Sequence, residues 1–419
     1  MKSLLAILII AVLSAVAQAQ TNDSLNACIE TALANNPEIS VVRKKWDAAL
    51  QKIPQARALD DPMIGVDAWR RKPDDTSPSQ TGWVVSQAVP WFGKRDLRGR
   101  IESGAATQAE MTWRMKTLEI AALVKQSYYN LWQAQRELEL NQRDQELMGQ
   151  FVEVARVRYE TGKASQSDLI RAQNELAKLS EDRIDRTRTY QEALTELNRL
   201  MRRDPGTPVE IDSEVTAPVL DIGVTLEQLQ AAAEERPELL GVRDGAVRSA
   251  EAALALAKKG YYPDLQARVE AWQYDGKNGI QEYDAGVSIN FPWLNHGKYK
   301  AAIAEARANV EASRDELDAM RTRTVADVKK LYDGIHTMHH HYDLYAEKLI
   351  PQQRLAVEDA RTAYETGGGG FLDVLDARRM LFDLEMENLH HAAEFQRLLA
   401  SLEKMVGGRL PMAAGEEKK

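Results

Sequence analysis

The sequence predicts a mostly helical chain with four short β-strands, built by running one order of elements twice. Three observations carry this. The stretch Tyr159–Asn174 (YETGKASQSDLIRAQN) returns at Tyr364–Met380 (YETGGGGFLDVLDARRM), with Asp168 and Asp373, and Ala172 and Ala377, in matching places. Two long stretches, Arg95 to about Glu160 and Tyr299–Glu365, consist of strong helix formers with apolar residues at heptad-like spacing. Four segments of about ten residues alternate apolar and polar side chains, which is the period of a strand.

Composition narrows the class. The chain has 419 residues, is 44% hydrophobic and carries a formal charge of -9. It can bury a core, and no basic patch interleaved with aromatics appears, which excludes nucleic acid as a partner. Residues 1–19 read as a secretion signal: Lys2 supplies the positive end, Leu4–Val16 the apolar run, and Ala17-Gln18-Ala19 the small-x-small cleavage site. The run is short for an anchor, which needs about 20 residues. No later apolar run approaches spanning length, so the mature chain is either soluble outside the cytoplasm or inserted as strands. Cys28 is the single cysteine, which excludes an internal disulfide and fits a small buried apolar side chain in a helix.

In chain order, Ser24–Arg57 reads as a helix that Ser24 can cap and Pro37 should break or kink. Pro62–Lys72 is a strand in which Ile64, Val66 and Ala68 alternate with Gly65 and Asp67. After a polar loop, Pro73–Gln80, a second strand at Thr81–Val89 puts Trp83, Val85 and Val89 on one side, and Pro90-Trp91-Phe92-Gly93-Lys94 closes it. The first long helix follows, on the order of 100 Å at 1.5 Å per residue, with Ala121, Val124, Tyr128, Leu131, Leu138, Leu147, Phe151 and Val154 as its seam. Gly162 ends it cheaply in the left-handed conformation. Ser165 then caps the return helix, with Asp168 as reciprocal partner. That helix runs to about Arg202, where Pro205, Gly206 and Pro208 stop it.

The order then repeats. Thr225–Lys259 is helical, with Arg236-Pro237-Glu238-Leu239 echoing Asn36-Pro37-Glu38-Ile39. Pro263–Tyr274 and Glu282–Phe291 are strands; in the second, Tyr283, Ala285, Val287, Ile289 and Phe291 alternate with Asp284, Gly286, Ser288 and Asn290. Pro292-Trp293-Leu294-Asn295-His296-Gly297-Lys298 repeats the strand exit with two added residues. The second long helix carries Val325, Val328, Tyr332, Ile335, Tyr342 and Leu349 on its seam, and Pro351 should bend or briefly break it. A Gly-rich tip, Gly367–Gly370, and a return helix to about Val406 complete the copy. The expected divisions are thus a signal at 1–19, a first repeat at 20–224, a second at 225–410 and a loose charged tail at 411–419.

The strand length matches a tilted crossing of a hydrocarbon layer, and the alternation fits one apolar and one wet face. Four strands are too few to close a barrel, and lipid does not tolerate open edges. Strands that cross a membrane here must therefore share one barrel among several chains. The competing reading is a soluble, elongated coiled coil with small β-caps.

Helix, two strands, long helix, Gly tip and helix, given twice, resembles the TolC-like outer-membrane efflux family over essentially the whole mature chain. The residues that carry the resemblance are Asn36-Pro37-Glu38, the Pro90–Lys94 strand exit, Arg158–Gly162 with Asp168-Leu169, and Tyr364 through Asp373-Val374-Leu375-Asp376-Ala377. The Pro-Trp-Phe-Gly-Lys-Arg exit and the short chain are most similar to the outer-membrane components of heavy-metal efflux systems. The resemblance implies a homotrimer whose strands close one twelve-stranded barrel in the outer-membrane lipid of a Gram-negative bacterium, continuous with a periplasmic α-helical barrel. It implies a passive duct without cofactor, docked at its tips to a periplasmic adaptor protein and a proton-driven inner-membrane pump. Members with a lipid anchor carry a Cys at the mature start, and this chain lacks it. No nucleophile, Walker, Rossmann or zincin pattern points to an enzyme. The alternative function is a soluble periplasmic coiled-coil adaptor or structural protein.

Asp373 and Asp376 match the family's aperture aspartates, and a spacing of three puts both on one helix face. A threefold ring of such pairs attracts cations, and mutual repulsion favours protonating some of them. Helix-dipole stabilisation explains Asp373 and Asp168 equally well. Tyr159, Gly162, Ser165, Asp168, Arg171, Tyr364, Gly367 and Gly370 are the tip residues expected at the docking face. Arg171 or Arg158 is expected to pair with a carboxylate of the other tip. His336 and His340, four apart beside His339 and His341, have two-ligand spacing, but no Glu or Cys completes a site, and a solvated or packed cluster fits them as well. Trp91 and Trp293 fit either a membrane-interface belt or plain packing at the strand exits.

Overall fold

The computed structural model describes residues 25–70, 79–211 and 224–407. The signal at 1–19, the Ser24 cap, most of the Pro73–Gln80 loop and the tail at 411–419 lie outside the described residues.

The first expected helix is two: α1 (Leu25–Asn35) and α2 (Pro37–Arg57). Asn36 makes the break. Its Oδ1 accepts from the Glu38 N–H at 2.9 Å, and its Nδ2 donates to the Leu200 carbonyl at 3.0 Å. Pro37 opens α2, where a missing N–H costs nothing. Strands β1 (Met63–Trp69) and β2 (Gln80–Val89) lead into the long helix α3 (Lys94–Glu160, 67 residues) and its return α4 (Gln166–Met201). The second copy comprises α5 (Leu226–Glu234), α6 (Pro237–Lys259), β3 (Leu265–Tyr274), β4 (Glu282–Ile289), α7 (His296–Leu344), α8 (Ile350–Thr366) and α9 (Phe371–Val406). Thr225 caps α5 through a reciprocal pair with Gln228. Arg236 makes no such cap for α6, so the second Pro-Glu motif is an echo of sequence more than of bonding.

Between α7 and α8 lies a π-helical turn, Tyr345–Leu349, in which the Ile350 N–H reaches the Tyr345 carbonyl. Pro351 follows directly, at the start of α8. A π-turn widens the spiral where the proline lacks its own N–H and its ring crowds the preceding turn. The expected bend is thus a wider turn that leaves the path helical.

By internal contacts the chain divides into two units, each fed by both repeats. One takes in Lys116–Glu235, the residues up to Ile39 and those from Thr324 onward; it is helical. One of its cores joins Cys28 and Ala32 to Ile120, Val124, Tyr128, Leu131, Leu197 and Met201. Cys28 is fully buried, as a small apolar side chain would be. A second core joins Met148, Phe151, Ala155, Ala172 and Leu179 to Tyr364, Phe371, Val374 and Leu375. The seam of α3 therefore runs through Met148 and Ala155, and the expected Val154 is exposed. A straight helix drifts against a strict seven-residue repeat, and the contact line moves over by one residue.

The other unit holds Ser40–Met115 and Arg236–Arg323. Its helices α3 and α6 touch at Gly104 and Gly245. A Cβ on either would lie 2.9–3.0 Å from the other's carbonyl oxygen, so only glycine permits the approach. The four strands form one antiparallel sheet in the order β1-β2-β3-β4.

Candidate functional site

The register sorts the sheet into two faces. Ile64, Val85, Val269 and Ala285 stand in one cross-strand row, and Val66, Trp83, Ala271 and Tyr283 in the next. The opposite face has Gly65, Val84, Glu270 and Asp284 in one row and Asp67, Gly82, Trp272 and Glu282 in another. Trp272 lies flat over Gly82, where a Cβ would come within 2.8 Å of its ring. The apolar face is open: Ile64, Val66, Trp83, Val85, Val269, Tyr283 and Val287 are all exposed. In water such a continuous patch is unfavourable, which marks it as a surface for another medium or chain. Among the described residues β1 and β4 each have one neighbour, so both sheet edges keep unpaired backbone groups. No described helix is long and apolar enough to cross a membrane.

At the first tip Gly162 takes φ +71° and ends α3. The Ser165 hydroxyl accepts from the Asp168 N–H at 3.2 Å, and the Asp168 carboxylate accepts from the Ser165 N–H at 3.3 Å. The reciprocal cap read from the sequence is therefore present. At the second tip Gly367 takes φ +88° and ends α8. The Asp373 carboxylate accepts from the Gly370 N–H at 3.1 Å. Asp373 and Asp168 thus both do helix-start work. Asp376, one turn on, is 74% exposed and stands 4.0 Å from Arg379.

Tyr159, Gly162, Ser165, Arg171, Gly367 and Gly370 are exposed, and Asp168 is half-buried. Tyr364 differs from its counterpart Tyr159: it is buried against Phe371, with ring centroids 5.4 Å apart. Burial pushes its phenol up, with Arg158 opposing the shift. The expected pairing of Arg158 with a carboxylate is replaced by a different contact. Its guanidinium lies 4.5 Å over the Tyr364 ring and donates to the carbonyls of Tyr364 and Glu365. The reason is local: α8 ends here, and its last carbonyls lack helical partners and attract a cation.

The carboxylate links between hairpins come from residues that no local pattern marks. Arg379 of α9 holds Glu175 of α4, with Nε donating to Oε1 at 2.9 Å and Nη2 donating to Oε2. The Arg379 hydrogen bonds hold the Glu175 carboxyl below the usual carboxylate range against desolvation. Arg378, buried, pairs with Asp144 of α3 and lies over Phe151.

His336 and His340 are exposed, and the His336 ring packs on Tyr332 at 4.3 Å. Among the described residues no group of three or more His, Cys, Asp or Glu is placed to hold a metal ion. His391, missed in the sequence, is the buried one. It sits between His341 and Tyr345, each at 5.0 Å, and among the described residues neither ring nitrogen has a hydrogen-bond partner. Its only sequence signal is the His390-His391 pair within a helical run. Trp91 is half-buried and stacked on Tyr262 (5.8 Å, 17°), whereas Trp293 is exposed.

A four-stranded sheet with one apolar open face, two unpaired edges and two long helical hairpins defines a membrane-exit duct that several chains complete. The sequence profile described as "Outer membrane efflux protein" matches residues 28–201 and again 228–408. The chain belongs to this family. It is 23% identical over 388 residues to the cobalt-zinc-cadmium resistance protein CzcC of Cupriavidus metallidurans, covering 92% of this chain and 90% of that one. It is 21% identical over 410 residues to the outer membrane protein TolC of Vibrio cholerae, covering 94% and 92%. Its fold matches the solved structure of CusC with a TM-score of 0.80 at 18% identity, covering 93% of both chains. The protein is an outer-membrane efflux channel with a large helical periplasmic part, working as a trimer with a periplasmic adaptor and an inner-membrane pump. The alternative of a soluble adaptor falls away.

Proposed function

We propose that this channel is the exit duct of a heavy-metal efflux system and that Asp373 and Asp376 line its periplasmic entrance. The observation that carries the site is Asp376: its carboxylate is exposed, and among the described residues the cation beside it, Arg379, is already engaged by Glu175. Three chains bring two such carboxylates each, and a ring of acids concentrates cations while resisting full ionisation. The metal reading rests on the likeness to CzcC and CusC. Each repeat, 20–224 and 225–410, contributes one tip, and the exposed Tyr159, Gly162, Ser165, Arg171, Gly367 and Gly370 form the docking face for the adaptor. The test is single-channel conductance of Asp373→Ala/Asp376→Ala in a planar bilayer, with divalent-cation block. Lower block in the variant supports the assignment; unchanged conductance with unchanged block removes it. Zinc, cobalt and cadmium sensitivity of a deletion strain tests the substrate class, and wild-type tolerance of all three would sink it.

A further inference from the structure

We propose that Phe92 and Leu294, at the same position of the two repeats, are anchoring wedges seated in phospholipid at the headgroup–acyl boundary of the periplasmic leaflet. They are the two most exposed large apolar side chains described, at 79% and 89%. Each follows a Pro-Trp pair at the turn between a strand and a long helix. Neither turn is loose. Lys259 Nζ donates to the Phe92 carbonyl at 2.8 Å, and the Trp91 N–H donates to Asp264 Oδ1 at 2.8 Å. Buried Lys94 adds bonds to Asp264 and the Tyr262 carbonyl. Leu294 sits in a 3-10 turn, Pro292–Asn295, with its N–H on the Phe291 carbonyl at 3.3 Å. The backbone is thus fixed while the side chains point away from protein, which is costly in water and favourable in lipid.

Continuity with the apolar sheet face identifies the occupant. Phe291 continues the row of Tyr283, Ala285, Val287 and Ile289, and its ring meets Trp293 edge-on at 6.0 Å. Exposed Trp293 then leads to Leu294. In the first repeat Phe92 meets Trp91 edge-on at 5.8 Å, and Trp91 stacks on Tyr262. Aromatic rings at the level of the headgroups are how membrane proteins fix depth. Lys298 and Lys300, exposed in the first two turns of α7, supply cations for phosphates at the same level. This is the end of the sheet from which the periplasmic helices α3 and α7 depart.

The inference rests on the outer-membrane placement, and the test separates the two. In a Cys28→Ala background, Phe92→Cys, Leu294→Cys and Val269→Cys carry a nitroxide label in vesicles of phosphatidylethanolamine and phosphatidylglycerol. Oxygen and a nickel chelate report depth. Labels at 92 and 294 should collide with oxygen at least twofold more than a water-exposed label, yet lie shallower than at 269. Nickel-dominated collisions at 92 and 294, with 269 in lipid, overturn the wedges alone. Exclusion of both reagents there means a subunit contact and also overturns them. A water-exposed 269 overturns the membrane placement itself. With Cys28 retained, Phe92→Trp and Leu294→Trp in the same vesicles give an independent reading. The added fluorescence should be quenched at least twofold more by shallow than by deep brominated phospholipids, and equal or absent quenching overturns the proposal.

Discussion

Arg379 clasps Glu175 from the opposite hairpin, donating from two guanidinium nitrogens to the two carboxylate oxygens. Glu175 is buried, so the pair is a directed link between the repeats that a salt-screened surface contact would not provide.

Removing the cation strands the buried carboxylate. Arg379→Ala should destabilise the tip by about 1.5–3 kcal/mol, the range for hydrogen bonds to charged groups. Hydrogen exchange at residues 360–380 should accelerate accordingly, and an unchanged exchange pattern would show that the pair is idle.

The same pair predicts an acid limit. The folded-state value of Glu175 is depressed, so its contribution is complete above the unfolded value of about 4.3 and is lost as pH falls through the folded value. Wild type should lose thermal stability in that acid range, and Glu175→Gln should lose less of it there. Parallel pH profiles for the two proteins would contradict this.

His391 acts at milder pH. Burial lowers its folded-state value, aided by His341 and His390 and opposed by Glu387, whose carboxylate is 3.7 Å away. A depressed histidine favours the neutral form. Stability is therefore full above the unfolded value of about 6.5 and falls as pH drops below it toward the folded value. Melting temperature in detergent between pH 7.5 and 5 should fall in wild type and flatten in His391→Phe. An equal fall in both would place the effect elsewhere.

Asp373 and Asp376 should separate by stability. Asp373 accepts the Gly370 N–H, so Asp373→Ala should cost about 1 kcal/mol, as cap losses do. Asp376→Ala, at an exposed site, should stay within about 0.5 kcal/mol. Denaturant titration of the two single variants checks this, and equal losses would contradict the assignment of capping to Asp373 alone.

Asn36→Ala should weaken the α1–α4 contact by about 1–3 kcal/mol, because the Leu200 carbonyl and the Glu38 N–H both lose a buried partner. Asn36→Asp, which keeps the acceptor for Glu38, should recover part of the loss. A fully neutral alanine variant would show that water replaces the side chain.

Short-range chemistry was readable in the residues. Gly162 and Gly367 need the left-handed region, Ser165 and Asp168 cap each other, and the strand alternation names the two sheet faces. Long-range partners were not readable, because no local period records them. Arg158 finds carbonyls where a carboxylate was expected, Glu175 meets Arg379, and His391 lies inside. Val154 failed as a seam residue for a related reason: one residue of drift accumulates along a long helix, and the heptad count does not carry it.

The wide turn at Tyr345–Leu349 has a history written beside it. Val124, Tyr128 and Leu131 match Val328, Tyr332 and Ile335 at one constant offset. Tyr159, Gly162 and Asp168 match Tyr364, Gly367 and Asp373 at an offset one residue longer. The second half is therefore one residue longer between Ile335 and Tyr364, and the five-residue spiral falls within that interval. The insertion was absorbed on the spot as a bulge, which spared the downstream tip a rotation of about 100° about the helix axis. Excising one amino acid there should restore an ordinary spiral and leave the second tip facing as it does now.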